Sequence, residues 1–304
     1  MAGPAANAAK VAIPLPVRQG VAPSYLWVQD REPGPALPYL LARFADVLES
    51  TWRSRMARGE VIDGSGVVLG PDSPLKRGLR IWYYRELEDE TPIPFEEQIL
   101  FRDEHLLVVD KPHFLPTTPG GRFLHESLLV RLKHKLGEEQ LIPIHRLDRE
   151  TAGVVLFSLR EESRGAYQSL FQQRSVEKVY EALAAPMVGR AFPFIHRSRM
   201  VEGTPFFRME EAQGEPNSET LVDVIEQRGD LVLYRLQPRT GRKHQLRVHM
   251  ASLGAPILHD AFYPEALPIR EDDFLNPLKL LARAIAFVDP LSGERRRFQS
   301  ARSL

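Results

Sequence analysis

His145-Arg146-Leu147-Asp148-Arg149-Glu150-Thr151-Ala152-Gly153 sets an aspartate directly after one apolar run, Leu141–Leu147, and shortly before another, Val154–Leu159. Both runs have the length and apolar content of strands, so the segment reads as two strands joined by a polar turn. Such a turn lifts the Asp148 carboxylate out at a sheet edge. Arg146 and Arg149 flank it, and nearby positive charge favours the ionised form of a carboxyl. A lone carboxylate in that position is usable as a nucleophile or a base. An ordinary charged hairpin turn accounts for the same residues, and the two readings stand side by side.

Outward from this turn the chain alternates strand and helix. Leu106-Leu107-Val108-Val109 is a short apolar strand running into Asp110-Lys111-Pro112, and Ser163 to Arg174 has helical spacing through Tyr167, Leu170 and Phe171. Val176–Leu183, Leu231–Leu236 and Ala284–Val288 read as further strands, and Gln245–Leu253 as a helix stopped by Gly254. The strands lack the regular spacing of repeated βαβ units. The expected fold class is therefore α+β, with a mixed, mostly antiparallel sheet.

The N-terminal third reads differently. Residues 1–35 are rich in Pro, Gly and Ala and are expected to form a poorly ordered arm. Residues 36–86 are expected to form a small unit: a helix over Leu37–Leu48, a second over Thr51–Ala57, a strand and tight turn in Gly59–Gly64, and a closing strand, Leu79–Tyr84. Residues 87–98 are acidic and proline-bearing, the character of a linker, and residues 99–304 form the large domain.

Bulk composition removes several function classes. The chain has 304 residues, 43% hydrophobic and 26% charged, enough for an ordinary core without staples. It has no cysteine, which rules out disulfides, a thiolate nucleophile and cysteine-ligated zinc or iron–sulfur sites. No apolar run approaches the roughly 20 residues needed to cross a bilayer, and Met1–Pro16 lacks the pattern of a signal peptide. A cytoplasmic protein is expected, with no membrane or protein partner implied. The 40 basic and 40 acidic residues cancel, unlike a simple polyanion binder. Their distribution is uneven, however: Arg53, Arg55, Arg58, Lys76, Arg77 and Arg80 crowd one region, and acids cluster in Glu86-Leu87-Glu88-Asp89-Glu90. His244 and His249 are five apart, off the i, i+4 spacing that puts two ligands on one helix face. No metal site is expected.

Four ordered segments carry a family resemblance: Asp103 to Pro112 with its Lys111-Pro112 turn; His145 to Gly153; Lys178-Val179-Tyr180; and Thr240-Gly241-Arg242-Lys243-His244-Gln245-Leu246-Arg247-Val248-His249. Together they resemble the RluA-like pseudouridine synthases, over residues 95 to 299. The resemblance implies an isomerase that flips a uridine out of structured RNA, breaks its N-glycosidic bond, rotates the uracil and rejoins it through carbon. That reaction has no redox step, group donor or net hydrolysis, so no cofactor is implied. By the same resemblance Asp148 is the nucleophile, Tyr180 stacks on the flipped base and Arg247 pairs with Asp148. Arg146 fills the gap left in the RNA, while His145, Lys111 and Arg242 contact the substrate or support the loop. Ribosomal RNA is the favoured partner, with transfer RNA second. The N-terminal unit loosely resembles the alpha-L RNA-binding fold, through Arg55, Arg58 and the Gly-Glu-Val turn.

Three departures from the family pattern concern loop geometry. His259 stands where glycine is usual, Ala152 replaces a common serine, and His113-Phe114 replaces a small Ala-Gly turn. Two rival readings are a non-catalytic RNA-binding protein on the same fold, and a hydrolase using Asp148 with Glu150.

Overall fold

A computed structural model describes residues 14–86, 90–268 and 272–304. The first 13 residues of the expected arm and Leu87-Glu88-Asp89 of the acidic run lie outside the described residues. The chain divides into two compact units, Met1–Glu90 and Thr91–Leu304.

The first unit contains β1 (Ser24–Trp27), α1 (Ala36–Arg43), α2 (Glu49–Ala57), β2 (Val61–Asp63) and β3 (Arg80–Tyr83). The strands pair antiparallel in the order β1-β3-β2. Leu37 and Leu40 of α1, Trp52 and Met56 of α2, and Ile81 and Tyr83 of β3 form one core. Helix α1 ends earlier than its apolar spacing predicts. Phe44 leaves helical geometry and turns its ring onto Trp52 and Tyr83, each 5.5 Å away. The expectation of an unstructured arm also changes: Ser24–Trp27 pairs with β3, and Leu15, Val21 and Val28 are buried.

The second unit is built on an 11-stranded sheet. Its strands are β4 (Gln98–Arg102), β5 (Leu106–Lys111), β6 (Ile142–Pro143), β7 (Ala152–Ser158), β8 (Glu177–Ala184), β9 (Phe194–Glu202), β10 (Met209–Ala212), β11 (Ser218–Arg228), β12 (Leu231–Pro238), β13 (Leu280–Val288) and β14 (Arg295–Gln299). The path is β10-β9-β11-β12-β8-β13-β7-β5-β4, with β14 on β13 and β6 on β7. Among these strands only β13 and β7 pair in parallel. The fold is thus α+β with a mixed, mostly antiparallel sheet. The expected linker does not run free beyond residue 90. Ile93 is buried, and its N–H donates to the Glu126 carboxylate at 2.6 Å.

Strands β5 and β7 are buried at every position, and their apolar runs Leu106–Val109 and Val154–Phe157 face covered layers on both sides. Leu107, Val109, Val155 and Phe157 pack with Leu128 and Leu132 of α3 (Leu128–Leu136). Leu106, Val108, Val154 and Leu156 pack on the opposite side with Tyr167 of α4 (Glu161–Gln172). Helix α5 (Gln245–Ser252) packs Leu246 and Met250 against β8, β11 and β12. These central strands and α5 hold the polar turn at residues 148–151 between them. Among the described residues no helix is long and apolar enough to cross a membrane.

Candidate active site

The turn after Leu147 is pinned atom by atom. The Leu147 carbonyl accepts from Thr117 Oγ1 (2.9 Å), and the Leu147 N–H donates back to the same oxygen (3.1 Å). The Asp148 carbonyl accepts the Thr151 N–H (3.1 Å). The Arg149 carbonyl accepts from Lys111 Nζ (3.1 Å), and the Glu150 carbonyl from His113 Nδ1 (2.6 Å). Four successive carbonyls are satisfied, so the backbone bearing Asp148 has little freedom to move. Gly153 closes the turn. Its φ is +115°, and a Cβ there would stand 2.2 Å from the Ala282 carbonyl oxygen on β13. Only glycine permits that approach.

Lys111 therefore plays a different part from phosphate contact. It is fully buried, and its ammonium donates to the carbonyls of Pro112 (3.0 Å), Leu115 (2.7 Å) and Arg149. Burial pushes it down to about 7, against the nearby charges of Glu150 and Asp148. All three N–H bonds are used inside the protein, which leaves loop support as its role. His145 is likewise engaged: its Nε2 accepts the Leu156 N–H (3.2 Å) and its ring stacks on Phe171 at 4.7 Å. Burial pushes this imidazole down to about 3.

A cleft of about 860 Å³ opens over the turn. Asp148 is the single carboxylate among its lining residues, alongside Tyr180, Arg247 and the cations Arg146, Arg174, Lys178, Arg239, Arg242 and Lys243. Arg146, Arg174, Arg242 and Lys243 are exposed at its rim. Arg242 rests its Nε on the Asn217 carbonyl (3.3 Å). Burial, with the Asp148 charge added, pushes the Tyr180 phenol above its ordinary range. It remains a proton donor at neutral pH.

Arg247 is 1% exposed and is shared among three carboxylates. The closest is one that sequence reasoning missed: Asp260 takes Nε (2.8 Å) and Nη2 (2.6 Å) in a bidentate pair. Asp260 also accepts the N–H groups of Phe262 and Tyr263. The remaining Nη1 stands 3.9 Å from Asp148 and 3.7 Å from Glu150, in ion-pair range, with no hydrogen-bond partner of its own. Direct pairing of Arg247 with Asp148 thus becomes a longer contact, directed from behind by Asp260. Although burial opposes the charge, these acids hold the guanidinium above its usual range.

His244, from the same motif as Arg247, also reaches the site. Its Nε2 lies 3.9 Å from Asp148, and its Nδ1 meets the Tyr263 hydroxyl at 2.9 Å. Burial pushes it down to about 3. Arg149, read as a flank of Asp148, instead pairs with Asp272 (2.7 Å) and Glu150 (3.0 Å).

Two of the departures preserve the backbone that glycine would give. Phe114 has φ +65° and His259 φ +63°. The Phe114 ring is anchored against Phe95 and Phe274, and His259 Nδ1 lies 3.2 Å from the Pro277 carbonyl. A separate cluster, His196, Glu211 and His249, brings possible ligand atoms within 4.8 Å of one another. Its atoms are engaged in hydrogen bonds: His196 with Glu211 (2.8 Å), and His249 with Ser218 (2.9 Å) and Thr220 (3.0 Å). The cluster fastens α5 to β9, β10 and β11.

A central mixed sheet with one carboxylate, one tyrosine and one buried arginine in a basic cleft is the arrangement that the resemblance to the pseudouridine synthases implies. Comparison with known proteins agrees. Residues 105–252 match the family described as RNA pseudouridylate synthase. The chain is 31% identical over 284 residues to ribosomal large subunit pseudouridine synthase C of Haemophilus influenzae, covering 86% of each protein. It is 30% identical to the dual-specificity RNA pseudouridine synthase RluA of the same organism, covering 70% of this chain and 97% of that one. The structure of human RNA pseudouridylate synthase domain containing 1 superposes with a TM-score of 0.56 at 26% identity, covering 68% of this chain and 84% of that one. The chain belongs to the RNA pseudouridine synthase family, and is an isomerase acting on RNA.

Proposed function

We propose that this enzyme isomerises uridine in large-subunit ribosomal RNA, with Asp148 as the nucleophile. The observation that carries the residue assignment is the Asp148 carboxylate alone among the cations of its cleft, beside Tyr180 and the buried Arg247. Two coverages support the ribosomal target. The match to the ribosomal large subunit enzyme spans 86% of this chain, more than residues 91–304 alone can supply. The match to the dual-specificity enzyme spans 70%. A relative that shares part of the first unit is thus one named for ribosomal RNA. The cytoplasm, where that RNA is made and assembled in bacteria, is the proposed location.

In this reading the target uridine leaves its stack at a cost of a few kcal/mol. The uracil stacks on Tyr180, recovering about 1–3 kcal/mol, and Arg146 enters the space left behind. Asp148 acts at the ribose, as nucleophile or base, while the glycosidic bond to nitrogen breaks. The uracil turns and rejoins through C5, and the C5 hydrogen passes to solvent. Arg247 keeps the carboxylate aimed, and Asp260 keeps Arg247 aimed. Arg242 and its exposed neighbours meet phosphates at the rim.

The test is Asp148→Asn. Tritium release from RNA labelled at uridine C5 is expected to fall by at least about 10³-fold, with RNA affinity nearly unchanged. Unchanged turnover would reject Asp148 as the nucleophile. Chromatography of digested product separates pseudouridine from the abasic sites a hydrolase would leave.

A further inference from the structure

The first unit presents an aromatic surface that catalysis in the cleft does not use. In β1 and β3, Tyr25 lies opposite Trp82 and Trp27 opposite Arg80. Strand alternation places these four side chains on one face, with Ile62 of β2 opposite Trp82. Leu26, Ile81 and Tyr83 point the other way, into the core. On the outward face Tyr25 is 53% exposed and Trp27 46%. The Arg80 guanidinium lies among their rings, 4.2 Å from the Trp27 centroid, 5.0 Å from Tyr25 and 5.5 Å from Trp82. The Tyr25 and Trp82 rings are 4.9 Å apart.

Arg80 differs from Arg55 and Arg58 of the same unit. Arg55 is buried over Trp52 and pairs with Glu86 at 3.5 Å. Arg58 pairs with Glu60 and Glu86, both at 2.7 Å. Their charge is neutralised internally. Arg80 has no carboxylate or hydrogen-bond partner among the described residues, and no acidic residue of the three strands shares its face. The segment carrying exposed Lys76 and Arg77 is tied to the end of β1, through Val28 N–H to Leu79 O (2.9 Å) and Gly78 N–H to Val28 O (2.8 Å). Flat rings with an uncompensated guanidinium between them, next to free cations, match an unpaired nucleotide. Bases stack on aromatic rings and on arginine planes whatever their sequence, while the cations meet the phosphates.

We propose that Tyr25, Trp27 and Arg80 form a stacking platform for an unpaired segment of the RNA substrate other than the uridine being isomerised. The proposal rests on RNA being the substrate and deepens that reading by giving the first unit a contact of its own. All three tryptophans of the chain, Trp27, Trp52 and Trp82, lie in this unit. Tryptophan emission therefore reports on it alone, and Trp52, fully buried, is out of reach of a stacked base.

The experiment uses the full chain and a fluorescein-labelled, unstructured ten-nucleotide oligouridylate. The expected result is saturable quenching of tryptophan emission, and a dissociation constant, by anisotropy, raised about tenfold in Trp27→Ala and in Arg80→Gln but restored in Trp27→Phe. Inorganic polyphosphate is expected to compete only weakly. Equal affinity of wild type and Trp27→Ala overturns the platform, as does full displacement by polyphosphate, which would mean charge alone is read. Concentration-dependent dimerisation lost in Trp27→Ala, with no RNA quenching, also overturns it and makes the face a self-contact. Asp148→Asn is expected to quench like wild type. If tritium release still depends on Asp148 while Trp27→Ala has no effect on RNA binding, the platform fails and the catalytic assignment stands.

Discussion

The two units divide their chemistry sharply. Met1–Glu90 contains all three tryptophans and no histidine, whereas Thr91–Leu304 contains all nine histidines and no tryptophan. Each also holds a buried arginine tied to an acid, with different consequences. In the first unit Arg55 over Trp52 is compensated by Glu86, whose carboxylate is shared with Arg58. These contacts all lie within the unit, and the arrangement is structural. In the second, Asp260 claims only one edge of Arg247, and the other edge faces Asp148 and Glu150. What matters is which edge of the guanidinium is left over, and toward what it points.

Removing the acid behind Arg247 should therefore cost more than removing the one behind Arg55. Asp260→Asn breaks a pair in which both side chains are 1% exposed, a change worth about 3–5 kcal/mol of stability in buried pairs. At a temperature where the variant is folded, kcat is expected to drop about hundredfold with little change in KM. Glu86→Gln, at a 48% exposed partner, is expected to leave kcat unchanged. Kinetics on a defined RNA stem-loop, beside melting curves, test both. A loss of stability in Asp260→Asn with kcat intact would reduce Asp260 to a structural residue.

Much of this contrast could be read from the chain, and the missing parts have identifiable causes. Strands β5 and β7 were legible because burial on both faces writes a continuous apolar run. That Asp148, Tyr180 and Arg247 share a cleft was legible through ordered motifs. Asp260 was not: it lies 13 residues beyond Arg247, and no helical or strand period links the two positions. Lys111 looked available because it is charged, yet nothing local announces three carbonyls converging on it. Strand β1 was hidden because it is four residues long, at a sheet edge, with alternate side chains outward. Its apolar residues, set between Pro23 and the Pro33-Gly34-Pro35 run, then read as part of a Pro/Gly-rich loop. Arg55 and Arg58 looked like an RNA-binding face because Glu60 and Glu86 must fold onto them before their charge is cancelled.

The histidine asymmetry predicts that acid weakens the units in different pH windows. Burial pushes His145 and His244 down to about 3, and His113 and His249 down to about 4. Below about 6.5 the unfolded chain takes up protons that these native imidazoles refuse, so stability falls as pH drops from 6.5 toward 4. Each contributes at most about 1.4 kcal/mol per pH unit in that window. The first unit has no such group. Its Glu60 is held below the usual carboxylate range by Arg58 and Arg18, against its burial, and that stabilisation is lost only below about 4.5. Urea titrations at pH 7.5 and 5.5 should show the far-ultraviolet dichroism midpoint falling, while the tryptophan-emission midpoint moves little. Parallel shifts would mean the units unfold as one.

The smallest effect separates arginines that sequence alone treats as equals. Arg242 lines the cleft rim, exposed, its guanidinium bonded among the described residues only through Nε to a carbonyl. Arg58 is 44% exposed, but its guanidinium lies on Glu60 and Glu86. A cation that meets a phosphate releases counterions on binding, and its removal lowers the slope of log affinity against log salt by about 1. Arg242→Gln is expected to do this, with an affinity loss of a few-fold at physiological salt. Arg58→Gln is expected to leave the slope untouched and to cost no more than about 1 kcal/mol of stability, as exposed pairs do. The salt series is the decisive measurement, because a mutation that merely loosens the fold weakens binding equally at every salt concentration. If Arg58→Gln flattened the slope and Arg242→Gln did not, the internal acids would be failing to cancel the charge they touch. The RNA path would then have to run over the helical face of the first unit.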